Sequence, residues 1–243
     1  MTYCLAMLVR EGLAMLADTR TNAGVDDVSA YRKLHVFRTP GERTMVLATA
    51  GSLSVTQTAI SMLENGVKDP DSGKTETLLS VPSMLGAAGL VGATIRKVRA
   101  GINVDPSQEV RTDATVLMGG QIVGQPMRLF LIYSAGNFIE CEPDTPFLQA
   151  GEHKYGKPIL DRSLSYETPL TEALKLGFLS LDATLRSNVA VGLPADVLTL
   201  PRDAIDPEVE VRIEPDDPYF GDLGSRWSSA LRDAVAAIPD PPW

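Results

Sequence analysis

Residues 2–17 read Thr2-Tyr3-Cys4-Leu5-Ala6-Met7-Leu8-Val9, then Arg10-Glu11-Gly12, then Leu13-Ala14-Met15-Leu16-Ala17. Two unbroken apolar runs of strand length about a polar turn predict a β-hairpin buried on both faces, because a strand with one wet face would alternate apolar and polar residues. Antiparallel pairing keeps the two residue numbers near a constant sum, so folding about Glu11-Gly12 returns the stretch from Asp18 to Thr21 to the side of Thr2. Asp18 then stands at the mouth of the hairpin. A carboxylate closing an apolar run also suits the polar start of a loop.

Thr2 is small enough for Met1 to be trimmed after translation, which would leave a free α-amine beside a β-hydroxyl. An α-amine titrates near ~8, far below an alcohol, so at neutral pH part of it can accept the hydroxyl proton directly or through one water. Such a threonine is a nucleophile carrying its own base. Further on, Tyr31-Arg32-Lys33-Leu34-His35-Val36-Phe37 is strand-like and sets Lys33 among apolar neighbours. Met45 to Thr49 is another buried strand. Ala50-Gly51-Ser52 then opens a helix through about Asn65, with Ser52 as N-cap and Leu53, Ala59, Ile60 and Leu63 on its apolar side. A glycine against a helix N-terminus can offer backbone N–H groups to an oxyanion, and it equally suits a plain strand-to-helix turn.

These residues together carry a resemblance. Thr2-Tyr3-Cys4, the loop from Thr19 to Asp26 after Asp18, Arg32-Lys33-Leu34-His35, Ala50-Gly51-Ser52, and Tyr155 to Arg162 resemble the proteasome β-subunit family of N-terminal nucleophile hydrolases. They are closest to its bacterial ancestral β-subunit (Anbu) branch, and the likeness runs from Thr2 to about Thr199. It implies a catalytic Thr2 supported by Asp18 and Lys33, and an oxyanion site at Gly51. It also implies a substrate groove lined by Thr21 and Asn22, with Ser134, Asp182 and Ser187 steadying the amine. The match at Asp182 and Ser187 is loose, since the family spacing is tighter and Asn188 stands where a glycine is common. Without the resemblance, Asp182 reads as a solvated helix carboxylate and Lys33 with Asp18 as a structural ion pair. Asn22 stands where many proteasome subunits have a threonine.

Composition sets the outer bounds. A chain of 243 residues with 44% hydrophobic content suits one domain with a substantial core, or two small ones; the absence of a dividing linker favours one. The net charge of -9 argues against nucleic acid. No apolar run approaches a membrane span and no secretory signal is legible, so a cytoplasmic protein away from membranes is expected. Cys4 and Cys141 cannot make a disulfide framework, and both reduced is the simpler reading. Two histidines, His35 and His153, and no cysteine pair leave no expected metal site or cofactor, and His35 reads as a packed strand residue.

Other motifs fail on a single position. Gly73-Lys74-Thr75 suggests a phosphate loop, but Lys68 stands where the earlier glycine is required. A serine-hydrolase elbow at Ser134 would need glycine at Ile132. The remaining pattern predicts helices over 83–100, 169–186 and about 223–238, with Gly86, Gly89 and Gly92 suiting the first to close packing. It predicts strands over 114–118, 127–133, 138–141, 189–191, 196–200 and 209–213, the last an edge strand. Pattern alone gives α+β. The resemblance adds a four-layer αββα sandwich over residues 1–213, with 214–243 as a helical extension against the domain or a neighbouring subunit.

The expected activity is that of a threonine protease: amide hydrolysis through an acyl-enzyme on Thr2, with peptide or unfolded protein as substrate. The expected state is a large homo-oligomer, ring or open spiral, with an ATPase or other regulator as an optional partner. Two rivals stand beside it. One is a self-assembling structural or binding protein with little turnover; the other is a small-molecule amidase.

Overall fold

The computed structural model describes residues 1–22, 28–68, 73–102 and 112–243. In chain order the strands and helices are β1 Tyr3–Val9, β2 Gly12–Asp18, β3 Arg20–Asn22, β4 Val28–Ala30, β5 Leu34–Thr39, β6 Arg43–Gly51 and α1 Leu53–Asn65. There follow β7 Val67–Lys68, β8 Thr75–Glu76, α2 Met84–Ala100, β9 Ala114–Ile122, β10 Arg128–Ile132, β11 Phe138–Glu140 and β12 Phe147–Gly151. The chain continues with α3 Lys157–Ser163, α4 Leu170–Ser187, β13 Ala195–Pro201, β14 Val209–Ile213 and α5 Pro218–Ala237. Among the described residues the larger sheets have five strands each, in the orders β12-β1-β2-β13-β14 and β11-β10-β9-β6-β5. Every pairing within them is antiparallel.

The hairpin of β1 and β2 is the centre of the first sheet, and every residue of both strands is buried. Its period of two divides the side chains between distinct apolar clusters. Tyr3, Leu5, Met7 and Val9 of β1, with Ala14 and Leu16 of β2, meet Ala173, Leu176 and Leu181 of α4 and Phe220 and Leu223 of α5. Cys4, Ala6 and Leu8, with Leu13, Met15 and Ala17, meet Val46, Ala48 and Ala50 of β6 and Leu117 of β9. The other face of the second sheet, through Met45, Leu47, Val116 and Met118, packs on Val55, Ala59 and Leu63 of α1 and on Ala88, Val91 and Ile95 of α2. An all-apolar strand is what two simultaneous packing partners require. The fold is mixed α+β.

Several sequence expectations need adjustment. The 189–191 segment is turn and bend, because the Asn188 side chain caps it: Ala190 N–H donates to Asn188 Oδ1 at 3.0 Å. Helix α3 and strand β12 carry too short a pattern to stand out in the sequence. Of the small residues in α2, Gly92 lies against a turn of the same chain, where an added Cβ would sit 2.2 Å from the Gly136 carbonyl oxygen, whereas Gly89 faces open space. The last helix begins earlier than expected, with Asp217 as its N-cap accepting from Phe220 N–H at 2.8 Å.

Candidate active site

The hairpin register pairs Cys4 with Ala17, which brings Asp18 opposite Tyr3. The Asp18 side chain is wholly buried there and accepts the Tyr3 N–H on Oδ1 at 2.9 Å. Lys33, just before β5, reaches the same oxygen: its Nζ donates to Asp18 Oδ1 at 2.7 Å and to the Arg20 carbonyl at 2.5 Å. Burial pushes the Asp18 carboxyl up, while the Lys33 charge and the N–H groups of Tyr3 and Gly192 pull the other way. At this separation and an effective dielectric near 20, the raw attraction is about 6 kcal/mol, offset by several kcal/mol of desolvation for each ion.

Thr2, Thr21, Lys33 and Gly51 line one cavity of about 440 Å³, together with Thr49, Ala50, Ser52, Leu53, Thr56, Asp113 and Gly151. Four of the residues singled out in the sequence therefore share one space, with Asp18 behind Lys33. Met1 is exposed and lines the same cavity, so its removal would free the Thr2 amine and clear part of the space. Gly51 ends β6 at φ +104°, where an added Cβ would lie 2.2 Å from the Asp113 carbonyl oxygen. Helix α1 starts beside it, Ser52 and Leu53 line the cavity, and the Ser52 side chain makes no capping bond to the first-turn N–H groups. Cys4 is no rival nucleophile: burial pushes its thiol up to about 12, and it donates to the Thr49 carbonyl at 3.5 Å.

The three expected supporting residues do not join this group. Ser134 accepts the Ala114 N–H at 2.8 Å and donates to the Ala114 carbonyl at 2.7 Å, closing the start of β9 instead of lining the cavity. Asp182 faces the α4–α5 contact, where it accepts from Arg186 Nε at 3.0 Å and abuts Gly224. Ser187 is exposed at the end of α4. Asn22 lies in β3 opposite Val28, and its side chain falls outside the described residues.

The structure puts other groups on the Thr2 backbone. Strand β12 pairs with β1 in the register Tyr3 to Gly151, and the next N–H, that of Glu152, donates to the Thr2 carbonyl at 2.6 Å. Gly151 makes this approach at φ +82°, where an added Cβ would lie 2.1 Å from the Thr2 oxygen. The Glu152 carboxylate is buried and accepts from Asn188 Nδ2 at 2.8 Å and from Lys154 N–H at 3.1 Å. The sequence signal for this approach is faint, Phe147-Leu148-Gln149-Ala150-Gly151 being a short apolar stretch interrupted by Gln149.

A scan of family models and a search of curated proteins each found no match. Solved structures do match over the whole chain. Anbu (ancestral β-subunit) from Yersinia bercovieri is 46% identical, with 99% of each chain covered and a TM-score of 0.91. A Gly-1 mutant of Anbu from Hyphomicrobium sp. strain MC1 is 45% identical, with 100% of each chain covered and a TM-score of 0.91. The helical assembly of the Anbu complex from Pseudomonas aeruginosa is 44% identical, covering 99% of this chain and 98% of that one, with a TM-score of 0.91. With identity near one half over full length, and with Thr2, Lys33 and Gly51 about one cavity, the chain belongs to the Anbu family, the ancestral proteasome β-subunit type.

Proposed function

We propose that the chain, once Met1 is removed, is a threonine-type N-terminal nucleophile hydrolase that cleaves amide bonds in peptides or unfolded protein. The observation that carries this reading is that Thr2, Lys33 and Gly51 share a cavity while a wholly buried Asp18 pairs with Lys33 at 2.7 Å. In the proposed reaction Thr2 Oγ1 attacks the substrate carbonyl carbon and its proton passes to the Thr2 amine. The carbonyl oxygen becomes an oxyanion that accepts hydrogen bonds at Gly51 and the start of α1. Collapse breaks the C–N bond, the ammonium returns its proton to the leaving amine, and an ester on Thr2 remains. Water, deprotonated by the same amine, then hydrolyses that ester. Lys33 supplies positive charge near the hydroxyl and amine, favouring the deprotonated form of each.

The three apolar clusters support a four-layer order of helices, sheet, sheet and helices. A cytoplasmic homo-oligomer with its sites turned to a shared interior fits this chemistry, since an enclosed nucleophile is shielded from folded proteins. The test is hydrolysis of a panel of peptide amides by protein lacking Met1. Turnover abolished by Thr2→Ala supports the reading; equal turnover in the purified variant overturns it. Cleavage of small amides but of no peptide would select the amidase. The helical assembly formed by the Pseudomonas aeruginosa relative supports self-assembly, and a self-assembling protein with little turnover stands as the second reading.

A further inference from the structure

The Thr2–Tyr3 peptide is held at both of its polar groups. Asp18 takes the Tyr3 N–H at 2.9 Å, and Glu152 gives its own N–H to the Thr2 carbonyl at 2.6 Å. These two bonds fix the plane of the peptide and hence the direction in which the Thr2 side chain leaves it. Asp18 is anchored by Lys33. Glu152 has an anchor of its own: its buried carboxylate bridges Lys154 N–H and the amide of Asn188, the C-cap of α4. Asn188 is itself held, donating its backbone N–H to the Thr184 carbonyl at 2.9 Å and accepting Ala190 N–H on Oδ1 at 3.0 Å. Burial pushes the Glu152 carboxyl up, but the Lys154 N–H and the Asn188 amide outweigh it and hold the group below the usual carboxylate range. A buried ionised side chain is costly unless its hydrogen bonds are complete, and here each oxygen has a donor.

Resting on the reading of Thr2 as nucleophile, we propose that Glu152, tied to Asn188, is a positioning residue that fixes Thr2 in its attacking orientation. It takes the supporting part that Ser134 and Asp182, bonded elsewhere, and the exposed Ser187 do not play. Glu152 touches no reacting atom; it acts through the Thr2 carbonyl. The end of α4 is thereby linked mechanically to the nucleophile.

The chemistry of the pair supplies its own control. Exchanging the two functional groups, with Glu152→Gln and Asn188→Asp together, keeps every bond: the new amide oxygen accepts Lys154 N–H, its NH2 donates to the new carboxylate, and the other carboxylate oxygen accepts Ala190 N–H. The readout is the rate at which a β-lactone acylates Thr2, followed by intact mass on protein lacking Met1, with Thr2→Ala as the blank. Glu152→Ala and Asn188→Ala are each expected to slow acylation by about 10- to 100-fold, the loss that misplacement of a reacting group brings. The double exchange is expected to restore the rate to within a few-fold. Single variants that acylate as fast as the unchanged protein overturn the inference and leave the nucleophile reading intact. So does a slow double exchange whose thermal midpoint matches the unchanged protein. No acylation of the unchanged protein overturns the nucleophile reading, and this inference with it.

Discussion

Asp18 Oδ1 serves two donors, the Tyr3 N–H and the Lys33 Nζ, so one atom couples the Thr2–Tyr3 peptide to the Lys33 side chain. Lys33→Ala should therefore abolish most hydrolysis and also destabilise the chain by about 3–5 kcal/mol, because Asp18 would be left buried and unpaired. Activity assays and denaturant melts on one preparation check both effects. Asp18→Asn should cost more activity than stability: the amide oxygen can still accept the Tyr3 N–H, and Lys33 keeps the Arg20 carbonyl. The opposite order in those two measurements would mark the pair as structural only. His35 gives a separate pH signature. Burial, with Arg32 nearby, lowers it from 6.5 to about 4, so the unfolded chain takes up a proton that the folded chain refuses. Stability should fall as pH drops from about 6.5 to 4, by up to roughly 3 kcal/mol, and level off below. Melts of His35→Gln should lack that decline; a decline of equal size in the variant would place its cause elsewhere.

The strand-to-helix junction at Gly51 is where local conformation and chemistry meet. Gly51→Ala should lower both thermal stability and acylation of Thr2, because φ +104° and the approach to the Asp113 carbonyl leave no space for a Cβ. A variant with unchanged melting and unchanged acylation would remove Gly51 from the site. The hairpin was legible in the sequence because burial on both faces writes a continuous apolar run, and the Asp18 position followed from register arithmetic. Thr2, Thr21, Lys33 and Gly51 were legible for a related reason: each lies next to an element with a strong pattern. Glu152 and Asn188 were not. Their meeting depends on β12 and on the cap of α4, which lie far apart in the chain, and neither carries a periodicity that points to the other. Ser134, Asp182 and Ser187 were misplaced by the same gap, since spacing along a helix does not say which neighbour its end will meet.

Helix α5 has two parts. Phe220 and Leu223 are buried against α4, whereas Leu231, Val235 and Ile238 are exposed, with Trp243 beyond them 98% exposed. Removing residues 228–243 should thus leave the subunit folded while weakening assembly, because apolar side chains without a partner in the same chain suit a subunit contact. Heterologous contacts close into a ring or continue as a spiral according to the rotation per step, so the prediction concerns size and not symmetry. Light scattering should show a large particle for the full chain and smaller species for the truncated one at equal concentration. A single-subunit particle for the full chain at micromolar concentration would contradict it.

The nucleophile itself is open to one direct measurement, intact-mass spectrometry of the purified protein before and after brief exposure to an activated acyl donor. The expected result is a chain lacking Met1 that gains one acyl group on Thr2, loses it again with time, and gains none in Thr2→Ala. A chain that retains Met1 and takes up no acyl group would contradict the assignment of Thr2 as the nucleophile.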